Sequence, residues 1–130
     1  MTQKQVLLVE DNDDNRTIYA TILGHYGYKV VQAPNGLAGV NMADQHRPDL
    51  IIMDISLPVM DGLEATRRIR ANPNTSGIPV LAVTAHALDS DRERVIDAGC
   101  NNYLAKPVEP RHLLEQVERM IGKSCKNCSS

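Results

Sequence analysis

Apolar runs of four or five residues alternate along this chain with segments of helical spacing, and few folds accept that order. The runs are Val6–Glu10 (VLLVE), Lys29–Ala33 (KVVQA), Leu50–Asp54 (LIIMD), Val80–Thr84 (VLAVT) and Asn102–Ala105 (NYLA). The first, third and fourth are almost continuously apolar, as in strands of a parallel sheet covered on both faces. The second alternates more, which predicts a place nearer an edge. Between them the spacing predicts helices over Asp14–His25, Gly36–His46, Leu63–Ala71, Ser90–Ala98 and Pro110–Ile121. Ile18, Ile22 and Leu23 are the expected inner residues of the first helix, and Leu37, Val40 and Met42–Ala43 of the second. Leu63, Thr66 and Ile69 are those of the third, Val95 and Ile96 of the fourth, and Leu113, Leu114, Val117 and Ile121 of the fifth. Gly27 and Gly99 close two of these segments, Pro48 ends another, and Pro110 suits a first helical turn.

Five βα units with right-handed crossovers define an α/β fold of three layers, a (βα)5 doubly wound parallel sheet. The flavodoxin-like strand order 2-1-3-4-5 is expected. Residues 1–122 form the expected domain. The polar stretch 123–130 (KSCKNCSS) is expected to be a short flexible tail. With Trp and Phe absent and four Tyr present, the core must be aliphatic, and stacking on nucleic-acid bases is poorly supported. A net charge of −2 gives no basic footprint for nucleic acid. No segment approaches the roughly 18 apolar residues of a membrane span, and no signal peptide opens the chain. Three Cys, two of them in the last six residues, are no disulfide framework and fit a reducing cytoplasm. Cys125-x-x-Cys128 is two ligands short of a structural zinc site, and neither Cys100 nor His112 is placed by the sequence to complete it.

In such a sheet, ligands bind beyond the carboxyl ends of the strands. The first run delivers Glu10 and Asp11 there, the third Asp54, the fourth Thr84, and the fifth runs into Lys106-Pro107. The second ends in Ala33-Pro34 and delivers nothing. The polar-ended strands are therefore contiguous in the expected order. Leu7–Asn15 (LLVEDNDDN) concentrates acids at one strand end, which is read either as a solvated helix start or as a metal site. Asp13 and Asp14 suit the helix start. Glu10 and Asp11 suit a metal site, because Asp54 and Lys106 complete a set for it. Oxygen-only ligands favour a hard cation, Mg²⁺ or Mn²⁺. Arg67, Arg68 and Arg70 read as a solvated helix surface. Asp61-Gly62 reads as a turn and helix start without chemistry.

Glu10-Asp11, Asp54 within IIMDISLPVMDG (Ile51–Gly62), Thr84-Ala85, Tyr103 and Lys106-Pro107, in that order and spacing, resemble the receiver domain of two-component response regulators (the CheY-like family). The resemblance covers about Val6 to Ile121. It implies that Asp54 accepts a phosphoryl group from a histidine kinase or histidine phosphotransfer protein. It implies that Asp11 and Asp54 bind the metal directly, Glu10 mainly through water, and the Ser56 backbone carbonyl completes the protein ligands. Thr84, the Ala85 backbone N–H and Lys106 would hold the phosphoryl oxygens, with Lys106–Pro107 cis. Thr84 and Tyr103 would form the switch. The output would be a protein-binding face made by the fourth helix, fifth strand and fifth helix. The protein would then be no enzyme acting on other substrates but a stand-alone, cytoplasmic phosphoacceptor that catalyses its own phosphorylation and dephosphorylation. His86 would modulate access of water to the acyl phosphate.

Three rivals are weighed on residues. A flavodoxin needs a Ser/Thr/Gly-rich phosphate loop where this chain has Glu10-Asp11-Asn12-Asp13. A haloacid-dehalogenase-type phosphatase carries Asp-x-Asp where Asp54 is followed by Ile55-Ser56. A docking receiver that is never phosphorylated loses acids or the Lys, and this chain keeps them.

Overall fold

The computed structural model describes residues 3–55, 60–84 and 89–122. Elements alternate throughout: β1 (Gln5–Val9), α1 (Asp13–His25), β2 (Lys29–Ala33), α2 (Gly36–His46), β3 (Leu50–Asp54), α3 (Gly62–Ala71), β4 (Val80–Thr84), α4 (Asp89–Asp97), β5 (Asn102–Ala105) and α5 (Pro110–Ile121). The strands pair in parallel in the order β2-β1-β3-β4-β5, as the sequence predicts. The silent strand β2 lies at an edge, and half-exposed residues interrupt its apolar pattern.

Strand alternation divides the core into two layers. Val6 and Leu8 of β1, Ile52 of β3 and Leu81 and Val83 of β4 meet Leu23 of α1 and Leu113 and Val117 of α5 on one face. Leu7, Val9, Ile51, Met53, Val80 and Ala82 meet Ala43 of α2, Leu63 and Ile69 of α3, and Val95 of α4 on the other. All these residues are at most 3% exposed, so an aliphatic core closes without Phe or Trp.

Two helices present a different stripe from the expected one. In α1 the buried residues are Tyr19 and Leu23, while Ile18 is half exposed. Tyr19 wins the inner place because its hydroxyl donates to the Val108 carbonyl at 3.3 Å while its ring packs under α5. In α2 the inner line is Gly36, Gly39 and Ala43, and Leu37 is half exposed. Small residues let this helix lie close on β1, for a Cβ on Gly39 would stand 2.8 Å from Val9 Cγ2. Ile96 of α4 also points outward, leaving Val95 as that helix's large buried side chain. The helix starts follow cap chemistry. The Asn12 side chain accepts from Asn15 N, Asn35 from Ala38 N and Asp61 from Glu64 N. Asp13 and Asp14 lie in the first turn of α1, where negative charge suits the helix dipole.

The basic run of α3 divides as well. Arg67 and Arg68 pair with Glu64 on the exposed face. Arg70 does not share that surface. Its guanidinium turns beneath the helix end and donates to the carbonyls of Gly99 (2.9 Å), Ser76 (3.0 Å) and Ile78 (2.6 Å) and to Asn101 Oδ1 (2.7 Å). It ties the approach to β4 to the turn between α4 and β5, at the amino end of the sheet. Gly99 adopts φ +110 there, and a Cβ on it would meet Arg70 Cγ at 2.7 Å. No described helix is long and apolar enough to cross a membrane.

Candidate phosphoryl-acceptor site

Glu10 follows β1 directly, and its backbone N–H donates to the Ala33 carbonyl of β2 at 3.1 Å. The chain then turns into α1. Arg16 closes that turn by donating from Nη1 to the Glu10 carbonyl at 2.8 Å and from Nη2 to Asp13 Oδ1. Asp13 is thereby drawn to the helix flank, while Glu10 and Asp11 stay with the strand end. Asp54 ends β3. Gly62 packs against that end so closely that a Cβ would stand 2.3 Å from the Asp54 carbonyl oxygen. Its N–H donates to the Ile55 carbonyl at 3.1 Å, which fixes the start of α3 on the strand. Thr84 ends β4, and its carbonyl accepts from Lys106 N at 2.7 Å. Lys106 leaves β5, and the Lys106–Pro107 peptide is cis.

Glu10, Asp11 and Asp54 each bring a carboxylate oxygen to within 4.8 Å of the others. Glu10 is 3% exposed and Asp54 1%, whereas Asp11 is exposed. Lys106 Nζ donates to Asp54 Oδ2 at 2.9 Å. Burial, then the hydrogen bond and charge of Asp54, push the Glu10 carboxyl up from 4.5 to about 7, against the opposing charge of Lys106. Burial by itself would lower Lys106, but its hydrogen bond to Asp54 and the charges of Asp54, Glu10 and Asp11 outweigh it and raise the ammonium. Two buried carboxylates this close resist joint ionisation unless cationic charge joins them. An all-oxygen set of three acids is the donor chemistry a hard dication requires, so the residues present fit Mg²⁺.

The structure thus brings Glu10, Asp11, Asp54, Thr84 and Lys106 to one end of the sheet. Tyr103 lies two strand residues further from the site than Ala105, the partner of Thr84, on the layer that contains Val95. Ser56, Ala85 and His86 lie outside the described residues, as do Cys125 and Cys128. Cys100 is buried, with its thiol 3.7 Å from Thr66 Oγ1, so it does not join an exposed metal set. Arg16 and Gly62 position the acids, although the sequence pattern gives Arg16 no role and marks Gly62 only as a turn and helix start. A Gly directly after a helix-capping Asp is the visible trace of the second.

Residues 6–118 match the sequence profile of the response regulator receiver domain family. The chain belongs to that family. The polar-differentiation response regulator DivK of Brucella anthropi is 39% identical over 119 residues, 92% of this chain and 97% of its own length. The crystallised receiver domain of the sensor histidine kinase PA1611 from Pseudomonas aeruginosa is 43% identical, with a TM-score of 0.85 over 94% of this chain and 100% of that one. That receiver holds a magnesium ion in its active-site cleft. The chemotaxis protein CheY4 of Vibrio cholerae is 28% identical with a TM-score of 0.87, over 92% of this chain and 99% of its own. In this receiver the carboxylate cluster and Lys106 occupy the cleft at the carboxyl end of the sheet.

Proposed function

We propose that this receiver accepts a phosphoryl group on Asp54 from a phosphohistidine of a histidine kinase or phosphotransfer protein. The observation that carries the reading is the buried Asp54 carboxylate, bonded to Lys106 and flanked by two further acids. An Asp54 oxygen attacks phosphorus as the P–N bond of the donor breaks, its electron pair passing to the imidazole nitrogen. The product is an acyl phosphate. Catalysis of such a transfer is mostly positioning and charge stabilisation. Lys106 supplies a mobile ammonium that can pass from Asp54 Oδ2 to a phosphoryl oxygen. Thr84, a residue 4% exposed at the neighbouring strand end, carries a hydroxyl that can donate to another. Asp11 and Asp54, Glu10 through water, and the Ser56 carbonyl would hold Mg²⁺ or Mn²⁺. That ion would supply the positive charge that lets an anionic donor approach three acids. The Ala85 N–H would complete the phosphoryl cradle; it and Ser56 are assigned from the family pattern.

The acyl phosphate would shift Thr84 and Tyr103 and change the affinity of the α4–β5–α5 face for a protein partner. Phosphorylation need only bias two existing arrangements. The match to DivK relatives over nearly their whole length supports a response-regulator role for this chain, and the output proposed for it is protein binding. Intact mass after incubation with a small phosphoryl donor and Mg²⁺ tests the proposal. One phosphoryl adduct is expected, lost in Asp54→Ala and in chelator. An adduct that persists in Asp54→Ala would refute it.

A further inference from the structure

The Arg92 guanidinium carbon stands 5.9 Å from the centroid of the Tyr103 ring. That lies within the distance at which a cation is held by an aromatic face. Arg92 is exposed on the first half of α4, and Tyr103 is half buried on β5. The two ends of α4 are fastened differently. At its carboxyl end Ala98 and Cys100 are buried, and the following turn is bound by Arg70 through Gly99 and Asn101. Nearer its amino end, Arg92 reaches the body of the protein at Tyr103.

Register shows where the ring could go. Tyr103 pairs with Ala82, and Ala105 with Thr84. Residues two apart on a strand share a face, so Tyr103, Ala105, Ala82 and Thr84 all project toward the α4 layer. Ala82 and Ala105 are small, and diagonal neighbours on a sheet are within reach of an aromatic side chain. A rotation about χ1 can therefore carry the ring along the sheet toward Thr84.

We propose that Arg92 is a positioning residue of the switch: its cation holds Tyr103 against α4 and so sets the resting population of the receiver. The inference rests on the phosphoacceptor reading above. A contact present in one arrangement and lost in the other shifts the balance by its own strength. For an exposed cation on an aromatic ring the shift is about two- to fivefold. Because only the competent fraction takes ligand at its intrinsic affinity, loss of the contact raises apparent affinity by up to the same factor, reached when the competent arrangement is the minor one.

Fluorotyrosine labelling gives a probe, since the chain has four Tyr and Tyr103→Phe assigns the signal of interest. Wild type, Arg92→Gln, Arg92→Lys and the remote charge control Arg67→Gln would be titrated with beryllium fluoride, a phosphoryl mimic, in Mg²⁺. In Arg92→Gln the unliganded Tyr103 resonance should already lie part-way toward the liganded position. Half-saturation should fall, by up to about two- to fivefold. Arg92→Lys should restore most of the wild-type behaviour, and Arg67→Gln should match wild type. An unchanged resonance and half-saturation in Arg92→Gln would overturn the inference, as would equal shifts in Arg92→Lys or Arg67→Gln. A wild-type protein that responds to neither Mg²⁺ nor beryllium fluoride would instead overturn the phosphoacceptor reading, and this inference with it.

Discussion

The two ends of the sheet each carry a long cation, and they use it in opposite ways. At the amino end Arg70 donates to three backbone carbonyls and one side-chain amide, all neutral. The cation there is a bracket whose partners are fixed by the fold. At the carboxyl end Lys106 meets Asp54 with Glu10 and Asp11 alongside. Negative charge exceeds positive, and Glu10 is raised to about 7 because of burial and Asp54. A bracket spends its cation on neutral groups and closes. A working site keeps an imbalance that an incoming cation and a phosphoryl group can resolve.

Exchanging the cations for apolar stubs should separate these roles. Lys106→Ala should slow formation of the Asp54 adduct by roughly a hundredfold, the size expected when one donor to a transferring group is removed. Rates of adduct formation by intact mass in Mg²⁺ read this. Arg70→Ala should leave that rate near wild type and cost about 2–3 kcal/mol of stability, because several part-buried carbonyls lose their donor together. Urea unfolding measures it. A large rate loss in Arg70→Ala at unchanged stability would break the comparison.

A smaller effect concerns pH. A carboxyl raised on folding stabilises the protein fully below its ordinary 4.5, and that contribution is lost as pH rises through about 7. Metal-free protein should therefore lose stability between pH 5 and pH 8, and Mg²⁺ should stabilise it increasingly across the same window. Glu10→Gln should flatten the metal-free slope. Urea midpoints with chelator and with Mg²⁺ would show both trends.

The strands and the polar ends they deliver were legible because apolar runs and the strand-end rule depend on local pattern alone. Glu10, Asp54, Thr84 and Lys106 each sit one or two residues from an apolar run, so topology brings them together. The inner faces of α1 and α2 were not legible. Ile18 and Leu37 are more apolar than Tyr19 and Gly39, and only the packed partners reverse the choice: a carbonyl at Val108 for one, the close approach of Val9 for the other. Arg70 reads as surface because its acceptors come from Ser76 to Asn101, segments whose meeting depends on the closed sheet. The contact between Arg92 and Tyr103 likewise spans two elements and leaves no periodic trace.

The central claim is that Asp54 is the acceptor, and chemical trapping tests it most directly. Borohydride reduces an acyl phosphate at its carbonyl and expels phosphate, leaving homoserine in place of aspartate. After phosphorylation in Mg²⁺, reduction and proteolysis, the account predicts homoserine at position 54 alone, and none when chelator replaces Mg²⁺. Homoserine at position 11, or a stable phosphoryl adduct with Asp54 recovered intact, would contradict it.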